Sequence, residues 1–146
     1  MRLTPIALLL LILLLAACGG DGDTDESSDD TAANTDGAVT AVEDFLQARV
    51  SADEDAMFES ACADEEANLP MYAQSFASVT NVRIEDMACA VASVEGDSGI
   101  VTCDGRIMAD YGAGEENEFP LETYSVVREG GDWKWCGETA APEDAG

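Results

Sequence analysis

From Ala38 to about Val50 the apolar positions recur with helical spacing. Val42, Phe45, Leu46, Arg49 and Val50 fall near one face with Val39 a turn earlier, while Glu43, Asp44 and Gln47 lie mostly elsewhere. The pattern predicts a helix, with Asp36 as its cap ahead of Gly37. Ser51 followed by Glu54 reads as a capping box. It opens a second predicted helix from about Ala52 to Ala63, on which Met57, Phe58, Ala61 and Cys62 are apolar. Leu69 to Phe76 reads as a short helical turn with Pro70 near its start.

From Val79 the period changes to two, the spacing of a strand with one buried face. Val82 and Ile84 set one register, and Met87, Cys89 and Val91 set another, so a bulge or bend is expected between them. Glu95-Gly96-Asp97 predicts a hairpin turn. Beyond it Val101, Cys103, Gly105, Ile107, Ala109 and Tyr111 share a face of a strand running from Ile100 to Tyr111. Gly112 to Asn117 is a polar connection. A third strand is expected from about Glu118 to Arg128, with Leu121 on one face and Tyr124 and Val126 on the other. Glu129-Gly130-Gly131-Asp132 is a turn into a closing strand, Trp133 to Gly137. Helices followed by a long-stranded antiparallel meander make an α+β layout, N-terminal helices packed on a curved antiparallel sheet.

The segment ahead of this pattern is of another kind. Met1 and Arg2 form a short basic start, and the apolar run from Pro5 to Leu15 is too short for the roughly 20 residues of a spanning helix. It closes on Leu15-Ala16-Ala17-Cys18, which resembles a bacterial lipobox. The resemblance implies a signal peptide over 1–17, cleavage before Cys18, and a diacylglyceryl group on the Cys18 thiol, often with a further acyl chain such as palmitate on the new amino group. Each buried methylene contributes about 0.8 kcal/mol, and two or three chains hold firmly where one does not. The protein is therefore expected at the cell membrane, lipid-anchored on the extracytoplasmic face. Residues 18–37 are rich in Gly, Asp, Ser, Thr and Ala, with no aromatic or branched aliphatic side chain. They read as an acidic flexible tether whose like charges extend it. Asp21, Asp23 and Asp25 alternate without the distal Glu and helical flanks of a calcium loop, so no metal site is assigned. The remaining boundaries are a folded domain over 38–138 and a disordered tail over 139–146.

Charge and composition narrow the function classes. The chain has 146 residues and a formal net charge of -25, with six basic residues and no histidine. This balance argues against nucleic acid and against adsorption to anionic headgroups. The lack of histidine excludes Ser-His-Asp and Cys-His catalysis, His-containing zinc sites and a His general base. Beyond Cys18 stand Cys62, Cys89, Cys103 and Cys136. An even number in an exported chain points to two disulfides, with three connectivities open, and their isolation from one another argues against a four-thiolate zinc site.

The opening helix around Val42-Phe45-Leu46, the second helix ending near Cys62, and the stretch from Tyr124 through Gly130-Gly131-Asp132-Trp133 to Cys136 resemble the NTF2-like, or cystatin-like, α+β cone found in small bacterial lipoproteins. The resemblance implies a curved sheet wrapped around helices and leaving a conical cavity. Some members do acid-base chemistry there with Asp, Tyr or His, and many others only bind small molecules or partner proteins. The histidine of the dehydratase-like pattern is absent, and no Tyr/Asp pair matches the isomerase-like pattern. Tyr72, Tyr111 and Tyr124 are candidates to line a cavity or simply to fill the core. Arg49, at a helix end, is expected to reach solvent or a surface carboxylate, with a cavity-facing role as the alternative.

The expected function is a noncatalytic, lipid-anchored module for a small ligand or a protein partner. A structural envelope role and a carboxylate-dependent isomerase or lyase are the alternatives. No cofactor or catalytic residue is assigned, and a homodimer stays open. With Glu95-Gly96-Asp97 as the loop, Val94 faces Ser98, Val91 faces Val101 and Cys89 faces Cys103, close enough to bridge. Cys62 and Cys136 then join helix layer to sheet. A pairing of Cys62 with Cys89 or Cys103 ranks lower, because it needs the hairpin to slip and turn Val91 and Val101 to opposite faces.

Overall fold

The computed structural model describes residues 27–112 and 114–142. The expected signal peptide, Cys18, the first part of the tether and the end of the tail lie outside them. Among the described residues three α-helices, α1 (Ser27–Ser51), α2 (Glu54–Ser60) and α3 (Leu69–Gln74), precede five strands. The strands are β1 (Thr80–Glu95), β2 (Ser98–Asp110), β3 (Glu116–Pro120), β4 (Thr123–Glu129) and β5 (Asp132–Thr139). A 3-10 turn, Ala63–Asn68, links α2 to α3. The sheet is antiparallel in the order β1-β2-β4-β5, with β3 pairing β2 in line with β4. No described helix is long and apolar enough to cross a membrane.

Helix α1 carries the predicted face into the core: Ala38, Val42, Phe45 and Leu46 are fully buried against the sheet. Each large aliphatic or phenyl side chain so buried contributes about 1.5–3 kcal/mol. The helix starts earlier than the pattern suggests, so Asp36 and Gly37 lie inside it and Asp36 is not its cap. A glycine is kept in this helix for a packing reason. A Cβ at Gly37 would sit 2.9 Å from Cδ1 of Trp133 on β5, so the helix approaches the sheet where a side chain would block it.

The start of α2 also differs from expectation. Its cap is Asp53, whose side chain accepts from the Ala56 amide at 3.1 Å. The Ser51 hydroxyl instead donates back to the Gln47 and Ala48 carbonyls at the end of α1, which removes it from the capping box. With the helix ending at Ser60, Phe58 turns outward and is 52% exposed while Met57 is buried.

The sheet shows where period two breaks. The register of β1 against β2 shifts between Glu85 and Ala88, the bulge expected from the change of phase after Ile84, with Asp86 at φ 55°. Opposite it, Gly105 has φ 108°, and a Cβ there would lie 2.7 Å from the Asp86 and Glu85 carbonyl oxygens. Only glycine lets the bulged strand cross so closely. At the other end the turn holds two residues, Gly96 and Asp97, so Glu95 faces Ser98 and Val94 faces Gly99 rather than Ser98. A second bulge between Val91 and Ser93 takes up the difference, and Val91 faces Val101 and Cys89 faces Cys103.

The third strand is interrupted. Pro120 ends β3, and β4 begins at Thr123, where a single strand from Glu118 to Arg128 was expected. The Leu121 amide donates to Gly105 O and Cys103 N donates to Glu122 O, so the two pieces stay on β2 across the break. The irregularity also moves Leu121 to the buried side with Tyr124 and Val126, correcting the expected division of faces. Gly130 and Gly131, at φ 62° and 100°, make the last two-residue turn, between paired Glu129 and Asp132. The closing strand extends to Thr139, the residue where the tail was expected to begin.

Candidate functional site: an aromatic cleft beside a filled cone

Between helices and sheet, the space that an NTF2-like cone encloses is occupied by side chains. Trp135 from β5 is fully buried and stacks on Phe45 of α1, with centroids 3.6 Å apart and planes within 5°. Tyr72 of α3 meets both rings edge-on, at 5.9 Å from Phe45 and 5.3 Å from Trp135. Such pairs add about 0.5–1.5 kcal/mol each beyond the area they bury. The buried Trp135 Nε1 has no hydrogen-bond partner among the described residues.

At the edge of this cluster a cleft of about 290 Å³ opens where α1 ends and α3 leads into the sheet. Arg49 supplies its cation, Phe76, Tyr111 and Phe119 its rings, and Glu122 and Glu138 its carboxylates. Phe119 lies 5.9 Å from Phe76 and 6.4 Å from Tyr111, centroid to centroid. Tyr111 is 50% exposed and Phe119 39% exposed, so the rim presents aromatic surface to solvent.

Arg49 is only 18% exposed and is held from several directions. Its guanidinium carbon lies 5.4 Å from the Tyr72 ring centroid and 5.5 Å from that of Phe76. Nη1 is 3.5 Å from a Glu138 oxygen, and Nε donates to Ser75 Oγ at the same distance. The sequence allowed either a surface partner or a cavity for Arg49, and it has both. Tyr72 has its pKa raised, first by burial and then by Glu65 and Glu138, with Arg49 opposing. Tyr124 is raised too, chiefly by burial; its hydroxyl accepts a hydrogen bond from the Glu122 amide at 3.1 Å.

The three candidate tyrosines thus divide between interior and cleft. Tyr72 and Tyr124 belong to the packed interior, and Tyr111 reaches the cleft. Phe119 was not singled out in the sequence, although it is the first ring after the polar run from Gly112 to Glu118 and Pro120 follows it. The cysteines fall into two bonded pairs, Cys62–Cys136 and Cys89–Cys103, at sequence separations of 74 and 14. Cys62 N also donates to Trp135 O, so the staple from α2 to β5 is backed by a main-chain bond. No group of three or more His, Cys, Asp or Glu among the described residues could hold a metal ion.

A second recess, an open groove of about 690 Å³, runs between α1, α2 and the start of β5. Gly37, Ala41 and Ala48 lie along its α1 side and Ala56 on α2, with Asp44 and Glu59 at its borders.

No protein-family model matches the chain, and no curated protein matches it. Among solved structures it is similar to a Streptomyces avermitilis protein of the NTF2-like family, provisionally assigned as a dehydratase. That likeness has a TM-score of 0.55 at 17% identity, over 72% of this chain and 92% of the other. It is also similar to RPA3114, a SEC-C motif containing protein from Rhodopseudomonas palustris. There the TM-score is 0.46 at 17% identity, over 66% of this chain and 73% of that one. At such identity the first likeness defines the fold: three helices packed on a curved five-stranded antiparallel sheet, an NTF2-like α+β architecture.

Proposed function

We propose that this chain is a lipid-anchored, extracytoplasmic binding module that holds a small ligand in the Arg49 cleft without transforming it. The observation that carries the reading is the Phe45–Trp135 stack with Tyr72 against it, which occupies the space where a cone enzyme would enclose its substrate. The cleft beside it, about 290 Å³, has the size of a small-molecule site and the makeup of one, mostly apolar walls with a few polar groups. Dehydratase chemistry, the provisional assignment of the Streptomyces avermitilis protein, would need an acid-base set for which this chain offers no histidine. The anchoring half of the proposal is supported by Leu15-Ala16-Ala17-Cys18, and the exported location by the two cystine pairs.

Two measurements test the two halves. Mass spectrometry of the membrane fraction is expected to find diacylglyceryl on an N-terminal Cys18, absent in Cys18→Ser; an unmodified mature N-terminus elsewhere overturns the anchor. Titration of the full chain in detergent with a library of neutral aromatic fragments, followed by NMR, is expected to move the ring signals of Phe76, Tyr111 and Phe119. Fragments that shift none of the three, or that enter against Trp135 instead, overturn the cleft.

A further inference from the structure

We infer that the ligand is a small zwitterion carrying an ammonium, of the betaine type, and a carboxylate, the latter received by Arg49. The inference rests on the binding reading above and gives it a chemical class. Arg49 is one of six basic residues in a chain of net charge -25, yet it is more than four-fifths withdrawn from solvent at the edge of a cleft. Its position is fixed by two aromatic faces, by Ser75 and by a long contact to Glu138. Those contacts use Nε and Nη1. Nη2 has neither a hydrogen bond nor an ion pair among the described residues. A largely withdrawn guanidinium with an unused donor beside an open recess is built to receive a planar acceptor, and a carboxylate fits that fork.

A simple carboxylate is the wrong complete ligand. It would approach against the field of the whole chain and against Glu122 and Glu138, which line the same recess. The rest of the cleft selects a cation. Tyr111 and Phe119 are exposed rings close to each other, and two carboxylates stand with them. Aromatic faces flanked by carboxylates are the surroundings in which organic ammonium groups bind, quaternary ones most readily because they lose little hydration. A molecule with both charges is neutral in the protein's field and satisfies both halves. Glu138, half exposed and 3.5 Å from Arg49, is free to swing aside as the ligand carboxylate arrives.

Three probes separate the halves: glycine betaine, acetate and tetramethylammonium, titrated calorimetrically into the full chain in detergent at one ionic strength. Betaine is expected to bind at least tenfold more tightly than either fragment. Phe119→Leu, on an exposed strand, and Glu122→Gln are each expected to weaken betaine by about threefold to tenfold while leaving the near-UV dichroism unchanged. Arg49→Lys, which keeps the charge and loses the fork, is expected to bring betaine down to the level of tetramethylammonium. Acetate binding as tightly as betaine overturns the cation half, and tetramethylammonium binding as tightly overturns the carboxylate half. If neutral fragments move the Tyr111 and Phe119 signals and betaine does not, the ligand class is wrong and the cleft stands. If neither moves them, both readings fall together.

Discussion

Reducing or deleting the two disulfides one at a time should destabilise the fold unequally, and the structure sets the ratio. Cys62 and Cys136 are separated by 74 residues, Cys89 and Cys103 by 14. The chain-entropy relation assigns about 4.5 kcal/mol to closing the longer loop and about 3 kcal/mol to the shorter. The short loop is nested inside the long one and shortens its effective contour, which lowers the first figure only to about 4.3 kcal/mol. Removing the short bridge lengthens the long loop by the same amount, so the nesting cancels between the two. The paired variants Cys62→Ala/Cys136→Ala and Cys89→Ala/Cys103→Ala should therefore differ by about 1.5 kcal/mol in urea unfolding, the first being weaker. Each pair holds one buried cysteine, Cys62 or Cys103, and one half-buried, Cys136 or Cys89, so the loss of side-chain volume is about equal in the two variants. Measuring each variant against the wild type with and without reductant separates volume from crosslink. If deleting the hairpin bridge costs as much as deleting the helix-to-sheet bridge, loop entropy is not what the long bridge contributes, and the ranking is wrong.

Two further outcomes are expected. Gly105→Ala should destabilise by about 2–5 kcal/mol in chemical unfolding, since it combines a positive φ with a Cβ 2.7 Å from two carbonyl oxygens; a loss under 1 kcal/mol would show that the bulge at Asp86 yields easily. Tyr124 is held neutral by burial, so its folded pKa is raised, and its contribution is complete below about pH 10 and disappears as pH climbs through the folded value. Absorbance at 295 nm should show a phenolate step that coincides with loss of near-UV dichroism and is missing in Tyr124→Phe. Ionisation of Tyr124 at the ordinary tyrosine pKa in a still-folded chain would refute this.

The fold was legible wherever one face of one element carries the signal. Val42, Phe45 and Leu46 mark a buried helix face, and the change of phase between Ile84 and Met87 marks a bulge, because period and burial are local properties. The pairing of Cys89 with Cys103 was also legible, though by a cancellation. The turn is one residue shorter than the sequence suggested, and the bulge between Val91 and Ser93 restores the register before the cysteines are reached. Elsewhere a tertiary contact overrode the local pattern. Gly37 looks like a helix boundary until Trp133 lies over it, and Leu121 reads as facing away from Tyr124 until the break after Pro120 turns it. The cleft was legible least. Arg49, Phe76, Tyr111 and Phe119 come from four different parts of the chain, and no spacing in the sequence joins them.

Both covalent rings lie between Cys62 and Cys136, and this divides the molecule mechanically. Most of the sheet, α3 and the turn before it lie within the outer ring, whereas α1 and α2 precede it and are held to the rest by noncovalent contacts alone. Tension applied from the N-terminal side enters through α1. The first thing to give under such a load is the contact of α1 with β1 and β5, including the Phe45–Trp135 stack and the Arg49 wall of the cleft. The ringed part would remain tethered to itself. A pull would therefore dismantle the cleft before it unravelled the sheet, so occupancy of the cleft would respond to strain along the chain at forces the strands survive.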